Sequence, residues 1–146
     1  MKICIIGYGK MGKIVEKIAK SKGHSISQLI DSSNEEVEGS SDIAIIFSTP
    51  KSAYSNIIKC FEKKIPVVCG TTGWLNEIDK IKSYCKVNKS TFLFSPNFSL
   101  GVNLFFKINT SISKIMRHRD VFNSKINETH HTSKFDSPSG TAIQIK

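Results

Sequence analysis

The chain has 146 residues, 39% of them hydrophobic and 23% charged, with a formal net charge of +9 at pH 7. That balance describes a soluble globular protein of one domain, or one domain and part of another, and no apolar run approaches the roughly 18 residues that a membrane span needs. Lys and Arg together number 21, yet only Arg117 and Arg119 are arginine and the lysines are spread along the chain; nucleic-acid binders cluster their charge and favour arginine, so the excess fits a field for anionic small molecules rather than DNA or RNA.

In chain order, residues 2–6 form a strand-like run whose Ile3-Cys4-Ile5-Ile6 core suits a parallel strand covered on both faces. Gly7 cuts the run short, so it is not a secretory signal, and the expected location is the cytoplasm. Met11, Ile14, Val15, Ile18 and Ala19 follow at helical spacing, with Gly23 as a C-terminal stop. Residues 25–30 read as a second strand ending at Asp31, residues 32–41 as an acidic-polar connection, and residues 43–47 as a third strand. Ala53, Tyr54, Ile57, Ile58 and Phe61 mark a second amphipathic helix. Residues 66–69 are a fourth strand, closed by Gly70-Thr71-Thr72-Gly73; a helix over 75–84 and a fifth strand over 91–94 follow.

Strands alternating with helices predict right-handed crossovers and a Rossmann-type, doubly wound parallel sheet of the α/β class. The pattern changes after Ser95-Pro96-Asn97-Phe98-Ser99. Leu104, Phe105, Ile108, Ile112, Ile115 and Met116 form a helix stripe, and residues 121–128 look like a strand. The expected division is a dinucleotide-binding domain over 1–103 and the start of a mixed α/β substrate domain over 104–146, which looks incomplete. Cys4, Cys60, Cys69 and Cys85 show no C-x-x-C spacing and read as buried reduced thiols rather than a metal or redox site.

The first chemical signal is Gly7-Tyr8-Gly9-Lys10-Met11-Gly12, lying between a strand and a helix. The first glycine allows a tight turn, the second lets backbone approach a pyrophosphate, and the third lets helix and strand pack closely. Asp31, roughly 20 residues further on at the end of the second strand, can accept hydrogen bonds from a ribose. Its carboxylate repels a 2′-phosphate, and no arginine follows it. Ser32 and Ser33 could hydrogen-bond such a phosphate but not neutralise it. The expected cofactor is therefore NADH in preference to NADPH, which is tolerated. Gly70, Thr71 and Thr72, and Ser95, Pro96, Asn97 and Phe98, follow the fourth and fifth strands; ligands bind outside the carboxyl ends of such strands, so both segments are candidates for the nicotinamide pocket.

The second signal is residues 128–142. Adjacent His130 and His131 would point to opposite faces of a strand, so no metal site is expected from them. Lys134 follows, and then Pro138-Ser139-Gly140-Thr141, where Ser139 can cap a helix and expose the N–H groups of Gly140 and Thr141. Proton donors, a cation and backbone N–H groups in one short stretch suit an anionic, carboxylate-bearing substrate that must also be protonated.

Taken in order, residues 7–12, residues 70–73, Pro96-Asn97-Phe98-Ser99-Leu100-Gly101-Val102-Asn103 and the E-x-H-H-x-x-K-x-D-x-P-S-G-T-A pattern over 128–142 resemble the dihydrodipicolinate reductases (4-hydroxy-tetrahydrodipicolinate reductases). The last pattern is highly specific. The resemblance implies a Rossmann domain joined to a mixed α/β substrate domain, assembled as a homotetramer. It implies hydride transfer from NADH or NADPH to a cyclic 2,6-dicarboxylate in diaminopimelate and lysine biosynthesis. It assigns His130 as the catalytic acid/base, Lys134 as a second proton donor, and His131, Gly140 and Thr141 as substrate contacts. The glycine loop is one residue shorter than in many members, Ile46 stands where an acidic residue commonly precedes Phe-Ser, and family members continue well beyond residue 146. Two alternatives follow: a truncated dinucleotide-binding fragment without turnover, or another Rossmann imine or aldehyde-acid reductase, against which only the His-His-Lys cluster argues.

Overall fold

The computed structural model describes residues 1–31, 35–119, 121–130, 132 and 137–146. The elements run β1 (Lys2–Ile6), α1 (Lys10–Ser21), β2 (Ser25–Ile30), β3 (Ile43–Ile46), α2 (Pro50–Glu62), β4 (Val67–Cys69), α3 (Ile78–Asn88), β5 (Phe92–Phe94), α4 (Leu100–Met116) and α5 (Gly140–Ile145). The expected third helix opens as a 3-10 turn at Leu75–Glu77 and becomes α-helical at Ile78. The described residues fall into two compact units, Met1–Pro96 and Asn97–Lys146. Gly101 and Asn103, where the domain boundary was expected, lie in the first turn of α4.

The first unit is one parallel sheet of strand order β2-β1-β3-β4-β5. β1 pairs with β2 on one side and β3 on the other, with Ile6 opposite Ile30 and Ile46. Side chains of a strand alternate between faces, and here both faces are covered. Ile3 and Ile5 pack with Ala19 and Val15 of α1, whereas Cys4 and Ile6 join Ile57, Cys60 and Phe61 of α2 on the other face. That is why the strand is apolar throughout. Cys4, Cys60 and Cys69 are buried free thiols, and burial pushes Cys60 up to about 12, so its reactive thiolate is suppressed.

Trp74 anchors the end of the sheet. It is 2% exposed, meets Phe92 and Phe94 edge-on at 6.1 and 5.6 Å, and donates its indole N–H to Thr71 O at 2.6 Å. A buried indole with its N–H satisfied is stable packing.

The second unit differs from expectation in one element. Residues 121–130 form no strand. A strand needs a neighbour's N–H and C=O groups, and no described segment pairs with this stretch. α4 keeps its apolar stripe without burying any residue: Leu104, Phe105, Ile108 and Ile112 are each about half exposed or more.

Candidate functional site

The carboxyl ends of β1 and β3 flank the point where strand order reverses, the place where open α/β sheets hold ligands. A cavity of about 250 Å³ opens there, bordered by Gly7, Gly9, Asp31, Ser48, Thr49 and Asn56. Each glycine of the loop has a separate reason. Gly7 sits at φ +91, where an added Cβ would lie 2.2 Å from Phe47 O; at Gly12 the Cβ would lie 2.2 Å from Gly7 O; at Gly9 it would meet nothing within 4 Å. The first and third glycines therefore close the turn and seat α1 on the sheet, while the second leaves open space at the helix start.

That helix start is electropositive. Gly9 caps α1 with no side-chain hydrogen bond, and no acidic residue occupies the first turn. The first helical bond is Lys13 N–H to Gly9 O at 3.1 Å, so the N–H groups of Lys10, Met11 and Gly12 precede it. α2 likewise starts beside the cavity, with Thr49 as its cap, Pro50 at its first position and no acid in its first turn. Asp31 accepts the Tyr8 N–H on Oδ1 at 2.9 Å, which ties β2 to the glycine loop, and its own N–H donates to Glu35 Oε1 at 3.2 Å. Tyr8 donates its hydroxyl to Glu16, which also binds Lys20 at 2.7 Å, and Lys13 lies 5.7 Å from the Tyr8 ring centre. The Lys20 and Tyr8 hydrogen bonds hold the Glu16 carboxyl below its usual range.

The candidates after β4 have a different character. Thr71 is buried, and its hydroxyl accepts the Ser48 N–H at 2.9 Å. A Cβ at Gly70 would strike the Phe47 ring at 2.1 Å. These two residues lock the ends of β3 and β4 together, and only exposed Thr72 stands clear of packing. Ser95 donates its N–H to Cys69 O at 3.2 Å and, with Pro96, closes the first unit. Asn97 and Phe98 open the second, where Asn97 accepts the Ser99 N–H at 2.7 Å just before α4. Ser48, Thr49 and Asn56 were missed by sequence reasoning; the rule that ligands sit at carboxyl ends of strands applies to β3 as well as to β4 and β5, and would have found them.

In the second unit, His130, Glu128, Ser139 and Thr141 border one cleft of about 760 Å³, with Phe105 and Asn109 of α4 on its wall. Glu128 organises it. Its Oε2 lies 3.0 Å from His130 Nε2, and its Oε1 accepts the Ser139 N–H at 2.9 Å. Ser139 then caps α5, accepting the Ala142 N–H on Oγ at 3.0 Å. Asn109 donates to Ile145 O at 3.2 Å, which ties α5 to α4. Hydrogen bonds from Ser139, and then from His130, hold the Glu128 carboxyl down to about 2, from an ordinary 4.5. The stabilisation from a depressed carboxyl is fully present above pH 4.5 and is lost as pH falls through about 2. Gly140 and Thr141 form the first turn of α5 as expected. His131, Lys134, Ser32 and Ser33 lie outside the described residues. Glu128 belonged to the quoted motif without a role; on an extended segment residues two apart share a side, and that spacing was the available signal.

A parallel sheet with a glycine loop at its switch point, followed by a second unit that presents a carboxylate-held histidine, is the arrangement of a Rossmann-type α/β protein with a second unit after its sheet. The family is specific. The model "Dihydrodipicolinate reductase, N-terminus" matches residues 1–98 and "Dihydrodipicolinate reductase, C-terminus" matches residues 101–146, and the chain belongs to the dihydrodipicolinate reductase family. It is 44% identical to the 4-hydroxy-tetrahydrodipicolinate reductase of Christiangramia forsetii, over 99% of this chain and 62% of that protein. It is 34% identical to the enzyme of the same name from Archaeoglobus fulgidus, over 99% and 63%, and 41% identical to that of Buchnera aphidicola, over 71% and 37%. The chain thus spans less than two thirds of the length of these relatives. A solved structure of a probable dehydrogenase from Thermotoga maritima is similar in fold, with a TM-score of 0.52 at 15% identity over 80% of this chain and 40% of that one. No helix among the described residues is long and apolar enough to cross a membrane.

Proposed function

We propose that the chain carries the cofactor site and proton-donor cluster of an NAD(P)H-dependent reductase that converts 4-hydroxy-tetrahydrodipicolinate to tetrahydrodipicolinate in diaminopimelate and lysine biosynthesis, in the cytoplasm. The observation that carries this reading is the E-x-H-H…P-S-G-T-A stretch and the placement of its described residues. Glu128, His130, Ser139 and Thr141 line one cleft, in a chain that matches both halves of the reductase family in order.

The cofactor fits the first unit. Open space at Gly9, two uncapped helix starts and the Asp31 carboxylate are the features a dinucleotide's pyrophosphate and ribose require. A reduced nicotinamide held there supplies the hydride. The overall change adds that hydride and one proton to the substrate and releases its 4-hydroxyl as water. The protein's own task is the proton. His130 gives it up, Lys134 serves as a second donor, and His131 with the Gly140 and Thr141 N–H groups holds a substrate carboxylate.

Turnover is tested by following NADH consumption with the cyclic dicarboxylate, in the 146-residue chain and in a form extended to its relatives' length. Consumption by the extended form supports the reading. NADH binding without consumption in either form favours a dinucleotide-binding fragment, and consumption only with unrelated imines or aldehyde-acids favours another reductase.

Cofactor preference follows from the ribose corner. Asp31 and Glu35 place two carboxylates beside the glycine loop, and like charge there disfavours a 2′-phosphate. NADH should bind more tightly than NADPH, and Asp31→Arg should narrow or reverse the difference in a fluorescence titration. Wild-type protein binding NADPH about tenfold tighter, a gap of roughly 1.4 kcal/mol, would overturn this assignment.

A further inference from the structure

We propose that Glu128 is a positioning residue that fixes which nitrogen of His130 moves the proton: Glu128 holds Nε2–H, and Nδ1 is the nitrogen that takes up and releases it. The inference rests on the reading of His130 as the proton donor and deepens it.

The argument begins with what a carboxylate can do. An ionised carboxylate only accepts hydrogen bonds. Hydrogen bonding holds the Glu128 carboxyl near 2, so it is ionised across the working range of any enzyme. His130 Nε2, 3.0 Å from Oε2, must therefore be the donor. In the neutral ring the proton then sits on Nε2 and Nδ1 carries the lone pair. Protonation adds a hydrogen at Nδ1. Release breaks the Nδ1–H bond, forms a bond from that hydrogen to the substrate atom, and leaves a neutral imidazole still bound to Glu128.

The same carboxylate spans two pieces of backbone. Oε1 takes the Ser139 N–H at 2.9 Å while Ser139 Oγ takes the Ala142 N–H at 3.0 Å. Glu128 thus ties the imidazole to the turn that carries Gly140 and Thr141. A histidine two residues away along the chain and a cap eleven residues away share one acceptor. Ser139 is 4% exposed although residues 121–130 are exposed, so this tie joins an exposed stretch to a buried cap. The arrangement has the logic of a base oriented by a third group, in which the orienter selects tautomer and angle and does not itself transfer the proton.

The experiment is nitrogen-resolved NMR of the histidine rings in the form extended to its relatives' length, with His130→Gln used to assign the signal. Wild-type protein should show a slowly exchanging, downfield ring proton coupled to Nε2 of His130. Glu128→Ala should abolish it and leave a mixture of tautomers. A ring proton found on Nδ1 in the wild type overturns the proposal, and that measurement needs no variant to fold. An unchanged ring spectrum in Glu128→Ala overturns it as well. In the extended form, Glu128→Gln should lower kcat roughly tenfold or more with little change in KM. The double variant Glu128→Gln/His130→Gln should be no worse than His130→Gln alone, because one residue acts through the other. If His130→Gln is harmless, the reading of His130 fails; if His130→Gln is severe and Glu128→Gln is harmless, only the present proposal fails.

Discussion

His130→Gln should lower kcat roughly 10²–10⁴-fold while leaving NADH affinity unchanged. A group that transfers a proton is needed in the transition state and not for holding the cofactor, so the loss belongs to kcat. The separation is built into the fold. On the proposed reading NADH is held by the glycine loop, Asp31 and the starts of α1 and α2, all within Met1–Pro96, whereas His130 belongs to Asn97–Lys146. Glutamine keeps a polar side chain that can still hydrogen-bond Glu128, so the cap at Ser139 should survive. Steady-state kinetics in the extended form, with a parallel NADH titration, decide the matter. A fall in kcat of less than about threefold would reduce His130 to a structural histidine.

The sheet was legible because its central strands are covered on both faces. β1 and β3 read as unbroken apolar runs, and the end of β1 was marked by Gly7. The glycine loop was legible because its first and third glycines answer steric demands that no other residue meets, as the contacts at Gly7 and Gly12 show. The role of Thr71 was not legible. A threonine at the end of a strand looks like a ligand contact, and only the fold reveals that its hydroxyl is spent on the Ser48 N–H, 23 residues away. Trp74 is similar: its burial depends on Phe92 and Phe94 arriving from β5. The strand expected over 121–128 failed for a related reason. A strand exists only with a partner, and partners are non-local. Glu128 sat inside a motif read for its histidines and its lysine. Its double acceptor role emerged only once Ser139 folded back beside it.

Amide exchange in the 146-residue chain should divide sharply, and NADH should deepen the division. β1 and β3 each pair with strands on both sides, and Ile3, Cys4, Ile5, Ile6, Ala44 and Ile46 are buried. Their amides should open only when the first unit unfolds. Residues 121–130 are exposed throughout and hold no ladder bonds, so their amides should exchange at close to unprotected rates. α4 should fall between the two: its helical bonds are formed, but it buries no residue, and a helix gains most of its stability from packing an apolar face. NADH at about 100 times its Kd adds roughly 2.7 kcal/mol to whatever unfolds with its site. That corresponds to about a 100-fold slowing in β1, β3 and β4 and to no change over 121–130. Turnover by the 146-residue chain should then be very weak, because a proton donor on freely opening backbone spends little time in a productive pose. Exchange read by mass spectrometry with and without NADH, at concentrations where the chain is monomeric, checks both halves. Protection over 121–130 equal to that of β1, together with measurable turnover, would show that the Glu128–Ser139 tie and α5 hold the second unit unaided.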